Sequence, residues 1–114
     1  MPAKSVTFIV PGAARPQRLD HFLAAQLPEA FFPAVYQRFA EADAWRIHDD
    51  VLPALDQLTS LDIPLAIVSN WDERLHKLLV ALRLRSYFDT VIVSCDVGFT
   101  KPSPVPFEMA LRRL

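Results

Sequence analysis

Two rhythms of apolar residues divide the chain. In the first half they recur every three or four positions, the spacing that lays one stripe along a helix. Leu19, Phe22, Leu23 and Leu27 predict a short helix over 18–27, ended by Pro28. Phe32, Val35, Tyr36 and Phe39 predict a second over 31–42. Val51, Leu55, Leu58 and Leu61 predict a third, with Asp49 or Asp50 as its N-cap. Ahead of these, Ser5–Val10 is β-branched and apolar and is stopped by Pro11-Gly12, so it reads as a strand. From Pro64 onward the rhythm changes. Pro64–Val68 and Thr90–Val93 show no polar alternation, the pattern of strands buried on both faces of a parallel sheet. Between them Leu75, Leu78, Leu79 and Leu82 predict an amphipathic helix over 72–84. After them a helix over 104–113 opens with prolines and turns Phe107, Ala110 and Leu111 inward.

Strand–helix–strand–helix order predicts a right-handed βαβ unit with a following helix. The fold class expected is therefore α/β, a partial Rossmann-like parallel sheet with helices behind a mostly helical N-terminal part. The division expected is 1–48 for the N-terminal strand and helices and 49–114 for the core.

Composition narrows the picture. The 114 residues suffice for one small domain, and 52% hydrophobic content allows a core. Twelve basic and 13 acidic residues give a net charge of -1, so bulk charge argues against nucleic-acid or membrane-surface binding. No apolar run nears the ~18–20 residues of a membrane helix. Met1-Pro2-Ala3-Lys4 does not begin a signal peptide's apolar core. Cys95 is the single cysteine, which rules out an internal disulfide and fits a reducing, cytoplasmic location. His21, His48 and His76 lack ligand spacing and are expected at the surface, and Cys95 is expected as a buried hydrophobe.

Candidate chemistry gathers where the two late strands end. In open α/β sheets ligands bind outside the carboxyl ends of the strands. Ser69 closes one apolar run and precedes a helix, whose first N–H groups lack internal partners. Ser69 and Asn70 can add side-chain donors there; by local sequence alone, capping the helix is the plainer role. Lys101 follows the next strand on a loop stiffened by Pro102 and Pro104, and a rigid loop can aim an ammonium at an anion. A solvated lysine is the alternative, and Asp96 is expected to pair with it. Trp71 either walls a substrate pocket or packs under the loop.

Taken together, Ile67-Val68-Ser69-Asn70, then Tyr87-Phe88-Asp89 before a strand, then Gly98-Phe99-Thr100-Lys101-Pro102-Ser103-Pro104 with Phe107 resemble the haloacid dehalogenase-like hydrolase superfamily. Ala44-Trp45-Arg46 through Asp50-Val51-Leu52-Pro53-Ala54-Leu55 resembles the end of that family's helical cap and the return to its core. The resemblance covers about residues 31–114 and is nearest to phosphatase-like members. It implies a phosphoryl-binding pair, with Ser69 hydrogen-bonding phosphoryl oxygens and Lys101 offsetting charge; by their position next to Ser69, Asn70 and Trp71 are the candidate substrate-binding residues. It also implies a magnesium ion and an aspartate nucleophile with a second aspartate two residues on.

These last features are not found. Val6–Val10 runs into Pro11-Gly12-Ala13, no Asp or Glu occurs before Asp20, and Asp20 and Asp49-Asp50 sit in helical patterns. No magnesium ligand is identifiable. The expectation is a hydrolase fragment or degenerate member, inactive alone, that binds a small phosphorylated molecule. A non-catalytic remnant binding an anion or a partner protein is the alternative. An incomplete sheet edge would also invite a second copy. Separately, Val6–Pro11 with Gln17–Leu23 is similar to the leader of pseudouridine synthases over residues 5–28, which would imply RNA binding.

Overall fold

Thr90–Val93 is β-branched at every position, the composition that a pleated, packed surface favours, and it forms strand β2 with all four residues buried. Its neighbour β1 (Ala66–Ser69) runs parallel, in the register Ala66 to Thr90 through Ser69 to Val93. The computed structural model describes residues 25–114, so the expected strand over 5–10 and most of the helix over 18–27 lie outside the described residues. Chain contacts divide within a helix at Pro33, and residues 34–114 make one compact unit.

The described elements follow the predicted order. Helix α1 (Phe31–Arg38) and a 3-10 turn (Ala42–Ala44) lead to α2 (Val51–Ser60) and β1. Helix α3 (Arg74–Ala81) and a second 3-10 turn (Arg85–Tyr87) lead to β2, a four-residue helix α4 (Ser94–Val97) and α5 (Val105–Arg113). The crossover helix α3 buries Leu75, Leu78 and Leu79. Leu75 and Leu79 pack with Val91 and Val93, and Ile67, Trp71, Leu84 and Phe88 close around them. Helix α5 lies on both strands.

Several boundaries differ from the sequence pattern. Strand β1 starts at Ala66 because Leu65 is held otherwise: its N–H donates to the Asp89 carboxylate at 2.8 Å and its carbonyl accepts from the Asp89 N–H at 2.8 Å. The strand then runs one residue past Val68, so Ser69 is its last member. It is half-buried throughout, not buried on both faces; among the described residues only β2 pairs with it. Asp50 stands at the N-cap of α2, yet its side chain makes no capping bond. On α5 the inward pair is Pro106 and Ala110, four residues apart. Phe107 and Leu111 sit one position on, which turns them about 100° away on a 3.6-residue helix. They are 45% and 74% exposed instead of inward.

Candidate anion-binding site

Ser69 and Lys101 are 32 residues apart in the chain, and one side chain joins their segments. The Asn70 carboxamide faces the main chain of Lys101: its Oδ1 accepts from the Lys101 N–H at 2.6 Å and its Nδ2 donates to the Lys101 carbonyl at 3.1 Å. Both ends of the amide are thus used on one residue. The sequence set Asn70 beside the substrate; here it fixes the backbone that carries Lys101 next to the end of β1. The Lys101 side chain is exposed and Ser69 is half-buried. The Lys101-Pro102 peptide is cis.

The loop after β1 is tied to the loop after β2 as well. The Trp71 carbonyl accepts from the Ser94 hydroxyl at 3.0 Å and from the Cys95 N–H at 3.3 Å. Strand ends and loops therefore converge on the segment Ser69–Asp72, as strand-end ligand sites in α/β sheets do.

Neither Ser69 nor Asn70 caps α3. That work falls to Asp72, whose Oδ1 accepts from the Arg74 N–H at 3.0 Å. The same carboxylate takes the Arg74 Nε and Nη2 donors, each at 2.8 Å. The Arg74 guanidinium holds the Asp72 carboxyl below the usual carboxylate range. Because a carboxylate already occupies the start of α3, an anion gains less from that helix end than bare N–H groups would offer.

Trp71 packs rather than projects. Its ring lies 5.6 Å from that of Trp45 and 6.4 Å from that of Phe39, while Phe39 and Trp45 meet edge-to-face at 5.2 Å. Phe39 and Trp45 also line a cavity of about 470 Å³ with Val35, Arg38, Asp43 and Ala44. Arg38 is paired there with Glu41 and Asp43.

Two expectations about charged and nucleophilic groups are corrected. Cys95 is exposed, because it falls on the short α4, which the apolar pattern does not announce. Partial desolvation, then Asp96 and Glu73, push its thiol up, which disfavours a reactive thiolate. Asp96 pairs with His76 at 2.7 Å and not with Lys101. Asp96 therefore does not blunt the lysine. No set of three His, Cys, Asp or Glu side chains among the described residues is arranged to hold a metal. The described residues do not fit a magnesium site, since Asp72 is engaged by Arg74 and Asp96 by His76.

A parallel strand pair with Ser–Asn at one carboxyl end and a clamped Lys-Pro loop at the other is the arrangement of one hydrolase class. The model of the family described as haloacid dehalogenase-like hydrolase matches residues 10–114, and the chain belongs to that family. Among known proteins it is similar to haloacid dehalogenase-like hydrolase domain-containing protein 3. It is 34% identical to the Homo sapiens protein over 95 residues, covering 81% of this chain and 38% of that protein. With the Xenopus laevis protein it shares 38% over 77 residues, covering 68% of this chain and 32% of that protein. The chain thus spans well under half the length of these relatives. A crystal structure of a Had-superfamily hydrolase from Ehrlichia chaffeensis matches with TM-score 0.60 and 29% identity, over 95% of this chain and 56% of that one. The likeness of residues 5–28 to pseudouridine synthases is not borne out, because the hydrolase family model takes in the chain from residue 10. No helix among the described residues is long and apolar enough to cross a membrane.

Proposed function

We propose that this chain carries the phosphoryl-gripping half of a phosphatase-like hydrolase site, with Ser69 and Lys101 as the pair that holds the group. The observation that carries this reading is the two-bond clamp from the Asn70 side chain to the Lys101 main chain. It fixes the main chain of the lysine-bearing loop beside the end of β1, and a cation carried on such a loop can offset a phosphoryl charge. The ligand is a small phosphorylated molecule, a cap-like part up to 48 precedes a core from 49, and a reducing, cytoplasmic setting suits the free Cys95. The family suggests a metal cofactor, but with no fitting ligand set among the described residues no step is routed through one. On its own residues the chain does not turn over a phosphate ester, because the segment Val6–Val10 leads into Pro11-Gly12-Ala13 and offers no carboxylate nucleophile.

Inorganic phosphate titrated into the labelled protein is the test of binding. The amides of Asn70–Asp72 and Lys101 are expected to shift, and Lys101→Ala to abolish the shifts. Unmoved amides in the wild-type chain would refute the site. Release of phosphate from an aryl phosphate with Mg²⁺, above the Lys101→Ala background, would refute the absence of turnover.

A further inference from the structure

We infer that Arg74 is a positioning residue that couples the end of helix α1 to the loop carrying Ser69, Asn70 and Trp71, and so sets how well that loop holds a phosphoryl group. The last clause rests on the function proposed above; the coupling itself does not.

The argument starts at the C-terminus of α1. The last carbonyls of a helix have no intrahelical donor. The N–H of Phe39 goes to Val35 and that of Ala40 goes to Gln37, so neither following amide serves the Tyr36 carbonyl. Arg74 Nη1 donates to it instead. The guanidinium carbon also lies 3.4 Å from the centroid of the Tyr36 ring, a cation over an aromatic face. A cation at a helix C-terminus is favoured by the helix dipole as well.

The remaining donors of the same side chain grip both oxygens of Asp72, two residues past Asn70. One planar fork therefore ends α1 and begins α3. Only arginine can do this, since lysine offers a point charge and no rigid fork. A second link runs parallel to it: Phe39 meets Trp71 edge-to-face and Trp45 meets it at a tilt. The opposite side of the loop is fastened to Lys101 by Asn70. The segment 70–72 is thus held from α1 on one side and from the lysine loop on the other, and a shift of one anchor is passed to the other through three consecutive residues. The Tyr36 hydroxyl adds little, because its bond to Asp72 is 3.4 Å long.

The test uses the full chain at a temperature where circular dichroism shows every variant folded. Amide spectra are recorded without ligand and through an inorganic phosphate titration for the wild type, Arg74→Lys, Tyr36→Ala, Tyr36→Phe and the Arg74→Lys/Tyr36→Ala double variant. Tyr36 is largely exposed, so its variants spare the core. Arg74→Lys and Tyr36→Ala should each move the ligand-free amides of Asn70–Asp72 and Lys101. Arg74→Lys should weaken phosphate binding about fivefold and Tyr36→Ala less, since the Tyr36 carbonyl and the grip on Asp72 remain, and the double variant should be no weaker than Arg74→Lys, as expected of two residues acting through one side chain. Tyr36→Phe should match the wild type, because it keeps the ring and the carbonyl. Unmoved Asn70 and Lys101 amides in both single variants would overturn the coupling, and so would additive losses. A wild-type chain that ignores phosphate would remove the phosphoryl reading alone, and the ligand-free shifts would still decide the coupling.

Discussion

Arg83 holds a backbone φ of 59° and Asp62 one of 54°, conformations that cost most side chains energy. Each stands just past a helix. After α3 the N–H of Leu84 donates to the Leu79 carbonyl at 2.9 Å and that of Arg83 to the Val80 carbonyl at 3.0 Å. After α2 the N–H of Ile63 reaches Leu58 at 3.2 Å and that of Asp62 reaches Thr59 at 3.0 Å. Both pairs are the crossed bonds of a Schellman ending, and Leu84 packs back on the cluster that contains Leu79. Glycine usually takes the left-handed position, and neither Asp62 nor Arg83 is a glycine, so neither ending is legible in the pattern of residues. Gly98 fills such a place, closing α4 at φ 78°. An arginine in the left-handed region costs roughly 1–2 kcal/mol, and glycine's extra chain entropy costs roughly 0.5–1. Arg83→Gly should therefore raise stability by about 0.5–1 kcal/mol, read as a higher urea midpoint at unchanged slope. A lower midpoint would mean that the arginine side chain, not the turn, matters at that position.

At the scale of elements, the segment from β1 into α3 decides both shape and pH response. Its strand and helix were legible because the apolar run and the leucine stripe are long-range patterns. The start of α3 was not, since Ser69, Asn70 and Asp72 are all capable caps and only packing selects among them. Asp72 wins because Arg74 stands two residues later and can be gripped at the same time. Arg74 in turn was invisible as a link, because the Tyr36 carbonyl it meets is 38 positions away. This pair also carries a linkage to pH. The carboxyl of Asp72 is held below its ordinary value by Arg74, so the folded state binds that proton less readily than the unfolded chain. The resulting stabilisation is present above the unfolded value of about 3.9 and is lost as pH falls through it toward the folded value. Asp96, held low by its bond to His76, adds in the same direction. Asp72→Asn should cost about 1.5–3 kcal/mol at pH 7, the range for a hydrogen bond to a charged group. The gap to wild type should narrow as pH falls from about 5 toward 3. Urea midpoints measured across that range check it, and a gap that stays constant would exclude the linkage.

For the molecule as a whole, the distribution of burial sets where substitutions will be felt. The fully buried side chains among the described residues are Ile92, Val93 and Pro106, which places the centre on β2 and the first turn of α5. A continuous apolar run announces β2, whereas on α5 the apolar Phe107 and Leu111 suggest an inward face that the structure does not use. A parallel strand pair accepts the small Ala110 and the flat Pro106 against it, and the bulky side chains turn outward. Cys95 differs for another reason: it directly follows an apolar strand, which suggests burial, but α4 carries it to the surface. Domains of this size are marginally stable, by about 5–15 kcal/mol. Removing three carbons from a site that is 1% exposed leaves a hole its neighbours cannot fill, so Ile92→Ala should cost about 2–5 kcal/mol. Leu111, at 74% exposed, loses almost nothing in the same change, and Leu111→Ala should stay within about 0.5 kcal/mol. Denaturant titrations of the two variants measure both. Equally large losses would show that the outward face of α5 is covered when the chain folds in solution, and equally small ones that the centre of the core lies elsewhere than β2.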